Sequence, residues 1–414
     1  MSPQTAPRNL RLHIGLFGRR NVGKSSLLNA ITRQEVSIVS ATPGTTTDPV
    51  EKPMELLPLG PVVFIDTAGI DDEGALGELR IARTRRALDR TDLGIIVSDG
   101  IWGRFEAGLL AELQSRHVGA LVVFSKVDVT APDPAEEARL QAAGLRTVRT
   151  SATTGEGLGA LRAALLEVAP ADYFDARHIV GDLVDPGEMV VLVVPIDKEA
   201  PKGRLILPQV QAIRDLLDSD AFCLVVKERE LRAALSHLTA PPRLVVTDSQ
   251  AFLKVAADTP PTVPMTSFSI LFARFQGDLT EMVRGTLAIE GLQRGDRVLV
   301  AESCTHHPIG EDIGRVKIPR WLVQYTGAKL EFDTVQGRDF PDDLSAWKLV
   351  VHCGNCMGNR REMLSRILRC RQQGVPITNY GLTIAYSLGI FERALAPFPA
   401  VLDLFRASRP TRAQ

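Results

Sequence analysis

Gly18-Arg19-Arg20-Asn21-Val22-Gly23-Lys24-Ser25 follows the apolar run 12–17 and leads into a stretch of helical pattern. This is Gly-x-x-x-x-Gly-Lys-Ser in the strand-to-helix setting that gives the motif its meaning. The backbone N–H groups of such a loop, Val22 and Ser26 among them, together with the helix N-terminus, can cradle phosphate oxygens. Lys24 can neutralise terminal phosphate charge, and the Ser25 hydroxyl can ligate magnesium. Taken alone, the stretch could also be read as a glycine-rich turn.

Four further elements follow in the order and spacing of small GTP-binding proteins. Pro43-Gly44-Thr45-Thr46-Thr47-Asp48 resembles their switch I, and Asp66-Thr67-Ala68-Gly69 resembles the start of switch II. Ser125-Lys126-Val127-Asp128 resembles the base-reading Asn-Lys-x-Asp, and Thr150-Ser151-Ala152 the last loop under the base. The set predicts a P-loop GTPase domain with Lys24, Thr46, Asp66 and Gly69 as catalytic residues. Ser25, Thr46 and Asp66 would hold magnesium, Asp66 through a water. Gly18, Asn21, Gly23, Lys126, Ser151 and Ala152 complete the nucleotide site. Asp128 can accept hydrogen bonds from N1–H and the exocyclic amine of guanine. Adenine offers no such pair and would leave the carboxylate unpaired at a cost of about 1–3 kcal/mol.

Two departures matter. Ser125 stands where the pattern has Asn, the residue that ties the base loop to the phosphate loop, so weaker nucleotide binding is expected. Ile70 stands where Ras-like proteins carry a water-positioning Gln, so hydrolysis must be organised otherwise. Asn21 with Gly44-Thr45-Thr46 resembles the GTPases that use a potassium ion in place of an arginine finger, which makes Asn21 the expected potassium ligand. A loop-capping role for Asn21 is the alternative.

Around this domain, 414 residues at 45% hydrophobic and 23% charged, with net charge −1, describe a globular protein of more than one core. No basic excess suggests nucleic acid, no run approaches the ~20 apolar residues of a membrane span, and no leader pattern opens the chain. A cytoplasmic location is expected. Apolar runs alternating with helical patterns suggest α/β blocks throughout. The first is 10–168 and the second 175–262, closed by the Pro-rich stretch 259–264. The third, 265–406, opens with a long helical pattern to residue 292 and contains buried strands at 297–301 and 349–352.

The five cysteines are too sparse for a disulfide framework. Cys304-Thr305-His306 and His352-Cys353-Gly354-Asn355-Cys356 lie at or just past the ends of the two strands, the edge at which open α/β sheets bind ligands. Three thiolates converging on one point suit an iron–sulfur cluster or, equally by spacing, a Cys₃His zinc site. A redox pair at Cys353 and Cys356 fits less well. His306, His307, Glu311 and His352 are the candidate fourth ligands. Cys223 and Cys370 read as core and helix-face residues.

The pattern C-x-H…H-C-x-x-C behind a Gly-Thr-Thr GTPase domain resembles the FeFe-hydrogenase maturation GTPase family, HydF, over essentially the whole chain. The resemblance implies three α/β domains: the P-loop GTPase, a dimerisation domain and a cluster-binding domain. It implies a 4Fe–4S cluster on Cys304, Cys353 and Cys356 and a homodimer. It further implies a diiron precursor as cargo, received from radical-SAM maturases and delivered to apo-hydrogenase. The alternative is a zinc-stapled regulatory GTPase of ribosome or RNA assembly. A zinc-delivering GTPase would be expected to carry a Cys/His-rich loop near its GTPase core, where this chain has only His13 and His117.

Overall fold

The structure, a computed structural model, describes residues 7–33, 50–67, 84–174, 177–195, 205–303, 312–337 and 339–408. Of the expected site residues, Thr46, Gly69, Cys304, His306, His307 and Glu311 lie outside the described residues, as do Ala68 and Ile70. The chain divides into two compact units after Ala176.

In the first unit, β1 (Leu12–Phe17), β2 (Val50–Leu56), β3 (Gly60–Asp66), β4 (Leu93–Ser98), β5 (Gly119–Phe124) and β6 (Arg146–Arg149) form one sheet. Its order is β2-β3-β1-β4-β5-β6, parallel except for the β2–β3 hairpin. Every residue of β1 and β4 is buried, as central strands covered on both faces must be. Leu16, Phe64, Ile95 and Leu161 fill one side, and Phe17, Val63, Ile96 and Leu113 the other. Helices α1 (Lys24–Arg33), α2 (Arg104–Ser115), α3 (Pro134–Ala142) and α4 (Leu158–Val168) follow the strands. The motifs leave the carboxyl ends of β1, β3, β5 and β6, so the sheet alone gathers them at one edge.

The second unit contains two four-stranded parallel sheets. The first comprises β7 (Met189–Val193), β8 (Phe222–Val226), β9 (Leu244–Thr247) and β10 (Met265–Ser267) in the order β10-β9-β7-β8. Helices α5 (Leu207–Asp218), α6 (Leu231–His237) and α7 (Phe252–Asp258) connect them. The second comprises β11 (Arg297–Glu302), β12 (Glu331–Gln336), β13 (Leu349–His352) and β14 (Ile377–Asn379) in the order β12-β11-β13-β14. Between the sheets run α8 (Phe268–Gln276) and α9 (Leu279–Leu287); α10 (Ile318–Thr326), α11 (Arg360–Gln372) and α12 (Tyr380–Ser387) follow. One continuous apolar core joins both sheets through Val191, Phe252, Phe268, Phe272, Met282, Leu299 and Val350. Truncating a buried Phe such as Phe268 in such a core costs about 3–5 kcal/mol.

Three expectations change here. The Pro-rich stretch 259–264 is a connection inside the middle sheet, because β10 beyond it pairs with β9 through Met265, Thr266 and Ser267. The long helix expected to residue 292 is two helices, each with its own cap. Ser267 Oγ accepts from Ile270 N at 3.2 Å, and Asp278 accepts from Glu281 N at 3.0 Å, with Gly277 closing the first helix. Cys223 lies on the edge strand β8 and is half-buried, not core.

Candidate functional site

The phosphate loop is shaped by residues that tolerate unusual backbone. Gly18 has φ +149°, and a Cβ there would stand 2.3 Å from the Val97 carbonyl oxygen. Gly23 (φ +98°) and Asn21 (φ 60°) lie in the left-handed region that bends the chain toward α1. Lys24 Nζ donates to the carbonyls of Gly18 at 2.9 Å and Arg19 at 2.7 Å, so the ammonium spans its own loop. Ser25 Oγ donates to Asp66 Oδ2 at 2.7 Å, joining the start of α1 to the end of β3. The other oxygen, Asp66 Oδ1, is buried and has no hydrogen-bond partner among the described residues. A hydroxyl and an under-satisfied carboxylate are hard oxygen donors of the kind magnesium takes.

The base side is tied to this loop. Ser125 Oγ donates to the Val22 carbonyl and lies 3.3 Å from the Ser98 carbonyl. The tie expected to weaken without Asn is therefore made by the serine hydroxyl. Lys126, with φ 56°, donates from Nζ to the Asn21 carbonyl. Thr150 N donates to Phe124 O at 2.7 Å and Val127 N to Thr150 O at 3.3 Å, which seats the last loop beside the base loop. Within it Ser151 Oγ accepts from Thr153 N and Thr154 N at 3.3 and 3.1 Å. Asp128 is exposed at the rim and Ala152 half-buried.

One partner of this site was not foreseen in the sequence. Arg19 donates to Glu106 Oε2 at 2.7 Å, and Gly103 N donates to the same oxygen at 2.8 Å. Glu106 is 1% exposed. It sits in the first turn of α2, and only the fold brings that turn to the phosphate loop, so no motif announces it.

At the cysteines, β11 and β13 are adjacent and in register, Ala301 opposite His352. Cys353 N donates to Ala301 O at 2.9 Å, and Ser303 N donates to Cys353 Sγ at 3.1 Å. The residue before Cys304 therefore touches the first thiol of the C-x-x-C turn. Asn355, buried with φ 54°, shapes that turn, and its Nδ2 donates to Asn359 O at 3.0 Å. Gly358 is required beneath it, since a Cβ would meet Asn355 Oδ1 at 2.2 Å. Asn359 then caps α11 by accepting from Glu362 N at 3.1 Å.

His352 leaves the set of candidate fourth ligands. Arg366, which can only donate, lies 2.7 Å from Nε2, so Nδ1 carries the proton and donates to Cys353 O at 2.8 Å. Burial, reinforced by the Arg366 charge, pushes the ring's pKa down to about 3. A neutral ring with both nitrogens engaged braces the cysteine loop from behind. Cys370 is buried on α11, and burial pushes its thiol up to about 12. Glu302, also buried, accepts from Gln336 Nε2 at 3.0 Å and Tyr380 OH at 3.3 Å, just before the cysteine edge. Among the described residues, no three His, Cys, Asp or Glu side chains gather as a metal site. Cys353 and Cys356 are half-buried within them.

Residues 13–126 match the family of 50S ribosome-binding GTPases. Residues 179–277 match the hydrogen maturase F dimerization domain and residues 280–397 the hydrogen maturase F tetramerization domain. The junction of these two matches falls between α8 and α9. The tRNA modification GTPase MnmE of Nitrosomonas europaea is 38% identical over 161 residues, 38% of this chain and 35% of that protein. MnmE of Synechococcus sp. (strain CC9311) is 42% identical over 160 residues, 38% of this chain and 34% of that protein. The chain thus spans about a third of the length of these relatives. Among solved structures, the G domain of the T. maritima FeoB iron transporter aligns with 38% of this chain and 98% of its own, at 25% identity and a TM-score of 0.31. The first unit carries a GTPase domain, and with two hydrogen maturase F domains over more than half of its length, the chain belongs to the hydrogen maturase F family.

Proposed function

We propose that this protein is a GTP-hydrolysing scaffold of FeFe-hydrogenase maturation. In this reading it carries a 4Fe–4S cluster and hands a diiron precursor, received from radical-SAM maturases, to apo-hydrogenase. The observation that supports it most directly is the 3.1 Å contact from Ser303 N to Cys353 Sγ at the paired ends of β11 and β13. That contact joins Ser303, at the end of the β11 edge, to the first thiol of the C-x-x-C turn, and supports a reading in which Cys304, Cys353 and Cys356 would hold the cluster. An N–H aimed at sulfur also suits a thiolate ligand, which is an acceptor only. A cluster with three protein thiolates leaves one position for an exchangeable ligand, which His306, His307 or Glu311 would supply.

In the GTPase domain, Lys24 balances phosphate charge, Ser25, Thr46 and Asp66 hold magnesium, Gly69 presents its N–H to the terminal phosphate, and Asp128 selects guanine. Asn21 is the proposed potassium ligand. Edge strand β8, with Phe222 60% and Val225 41% exposed, is the proposed pairing edge of a homodimer. The match of residues 13–126 to ribosome-binding GTPases favours a second reading, a zinc-stapled regulator of ribosome assembly.

Anaerobic reconstitution with iron and sulfide separates the two. The scaffold reading expects about four irons per chain and a reduced-cluster EPR signal. Both should vanish when Cys304, Cys353 and Cys356 are all replaced by Ala. Stoichiometric zinc that iron cannot displace would overturn it in favour of the regulator.

A further inference from the structure

Both parallel sheets of the second unit are doubly wound, and each has a point where successive strands depart to opposite sides. In the middle sheet the first strand, β7, has β8 on one side and β9 on the other. In the third-block sheet β11 has β12 on one side and β13 on the other. Beyond the carboxyl ends of strands at such a point, the diverging loops leave a crevice, and ligands of open α/β sheets bind there. The crevice between β11 and β13 is the cysteine edge. The corresponding loop of the middle sheet, 248–250 after β9, has no role in the GTPase, the cysteine set or a β8-edged dimer.

The two edges open on one cavity of about 190 Å³. Asp248, Ser249 and Gln250 line it from the middle sheet, and Cys356 and Tyr380 from the other. Phe268 and Phe272 supply an apolar floor. It is smaller than the ~300–1,000 Å³ of clefts for drug-sized molecules, so it suits a compact occupant. Its walls are fixed to one another. Lys317 Nζ donates to Gln250 Oε1 at 2.6 Å across the two halves. Asn379 Nδ2 and Gly381 N donate to Ser269 Oγ at 3.2 and 3.1 Å. With both acceptor positions of Ser269 filled, its hydroxyl proton is left to donate to an occupant. Gln209 Nε2, 3.0 Å from Asp248 Oδ2, orients that carboxylate.

We propose that the cargo site is bipartite: the loop 248–250 of the middle sheet forms the wall opposite Cys356, and Ser269 donates to an acceptor atom on the compact metal complex held between them. The middle block is then a half of the binding site as well as a dimerisation module. This rests on the cluster-carrying reading above.

The test uses the full chain, reconstituted with iron and sulfide, in wild type, Gln250→Trp and Ser269→Ala. Gln250 is exposed at the cavity mouth, so a larger side chain there fills the cavity without entering the core. Each protein is analysed for iron and reduced-cluster EPR, then incubated with a synthetic diiron complex, desalted and analysed for added iron. The expected result is unchanged cluster iron and EPR in both variants, with added iron retained about tenfold less by Gln250→Trp. Ser269→Ala should retain about fivefold less. If Gln250→Trp also loses cluster iron, the smaller Ser269→Ala change decides by the same criterion. Retention equal to wild type in variants with intact clusters overturns the bipartite site and leaves the scaffold reading standing. A wild-type protein that takes up no cluster overturns both, and one that holds its cluster but retains no diiron complex overturns the cargo site and the delivery role together.

Discussion

The Ser125 hydroxyl donates to the carbonyl oxygen of Val22, so the loop that reads the base and the loop that cradles the phosphates are tied through one short side chain. Ser125 is 5% exposed, and removing its hydroxyl leaves the Val22 carbonyl without that donor in a dry place. Ser125→Ala should therefore weaken GTP binding by about 1 kcal/mol, roughly fivefold. Ser125→Asn, which restores a longer donor, should bind at least as tightly as wild type. Titration with a fluorescent GTP analogue reads both, and equal affinity of the Ala variant would show the tie to be energetically idle.

Lys24 spans the phosphate loop in the first unit, and the cysteines lie in the second. Lys24→Ala should lower GTP hydrolysis by about a hundredfold or more, because a charge at the transferring phosphate is removed. Iron content after reconstitution should not change. Loss of iron in that variant would reveal an energetic link between the two units.

The proposed potassium ligand, Asn21, is held in left-handed backbone with its side chain at an exposed position. GTP turnover should be several-fold faster in potassium than in sodium buffer at equal ionic strength. Asn21→Ala should abolish that difference while leaving the basal sodium rate. Equal wild-type rates in the two buffers would remove potassium from the mechanism.

The five thiols should differ in reactivity. Burial raises Cys370 to about 12, so at pH 8 almost none of it is thiolate, and its side chain is closed to reagents, whereas Cys353 and Cys356 are half-buried. In iron-free protein, Cys370 should resist iodoacetamide until denaturant is added, and Cys353 and Cys356 should label first. Mass-spectrometric mapping checks the order. As pH rises toward 12 the Cys370 thiol ionises, and its protection should fade over that range.

Strand β8 pairs with β7 on one side only and exposes Phe222 and Val225, while α5 exposes Val210 and Leu217. Phe222→Lys with Val225→Lys should convert dimers of the full chain to monomers without altering GTP turnover, since charge on an edge blocks strand addition. Sedimentation velocity measures it. A doubly substituted protein that remains dimeric would place the contact elsewhere.

Motifs carried by contiguous residues are legible in the amino-acid sequence. The phosphate loop, Asp66 and Asp128 are recognisable because their chemistry demands particular side chains at short spacing. The strand runs around them are recognisable because a doubly covered parallel sheet demands uninterrupted apolar residues. Strands β11 and β13 occur at nearly the residues where the apolar runs predict them. The end of the middle block does not, because β10 is only three residues long and its pairing with β9 is a non-local choice that a Pro-rich stretch disguises.

His352 shows the same division in one residue. Its place beside Cys353 marks it as a ligand candidate, and nothing local reveals Arg366 fourteen residues away, whose guanidinium occupies Nε2. Likewise Glu106 meets Arg19 only because α2 folds against the phosphate loop. By itself the sequence determined the nucleotide chemistry this protein carries, since a phosphate site is specified by residue type and spacing along a few turns of chain. The tertiary structure alone decided which of those side chains remain available to a ligand and which loops share a cavity. Burial, hydrogen-bond occupancy and sheet order are properties of residues far apart in the chain.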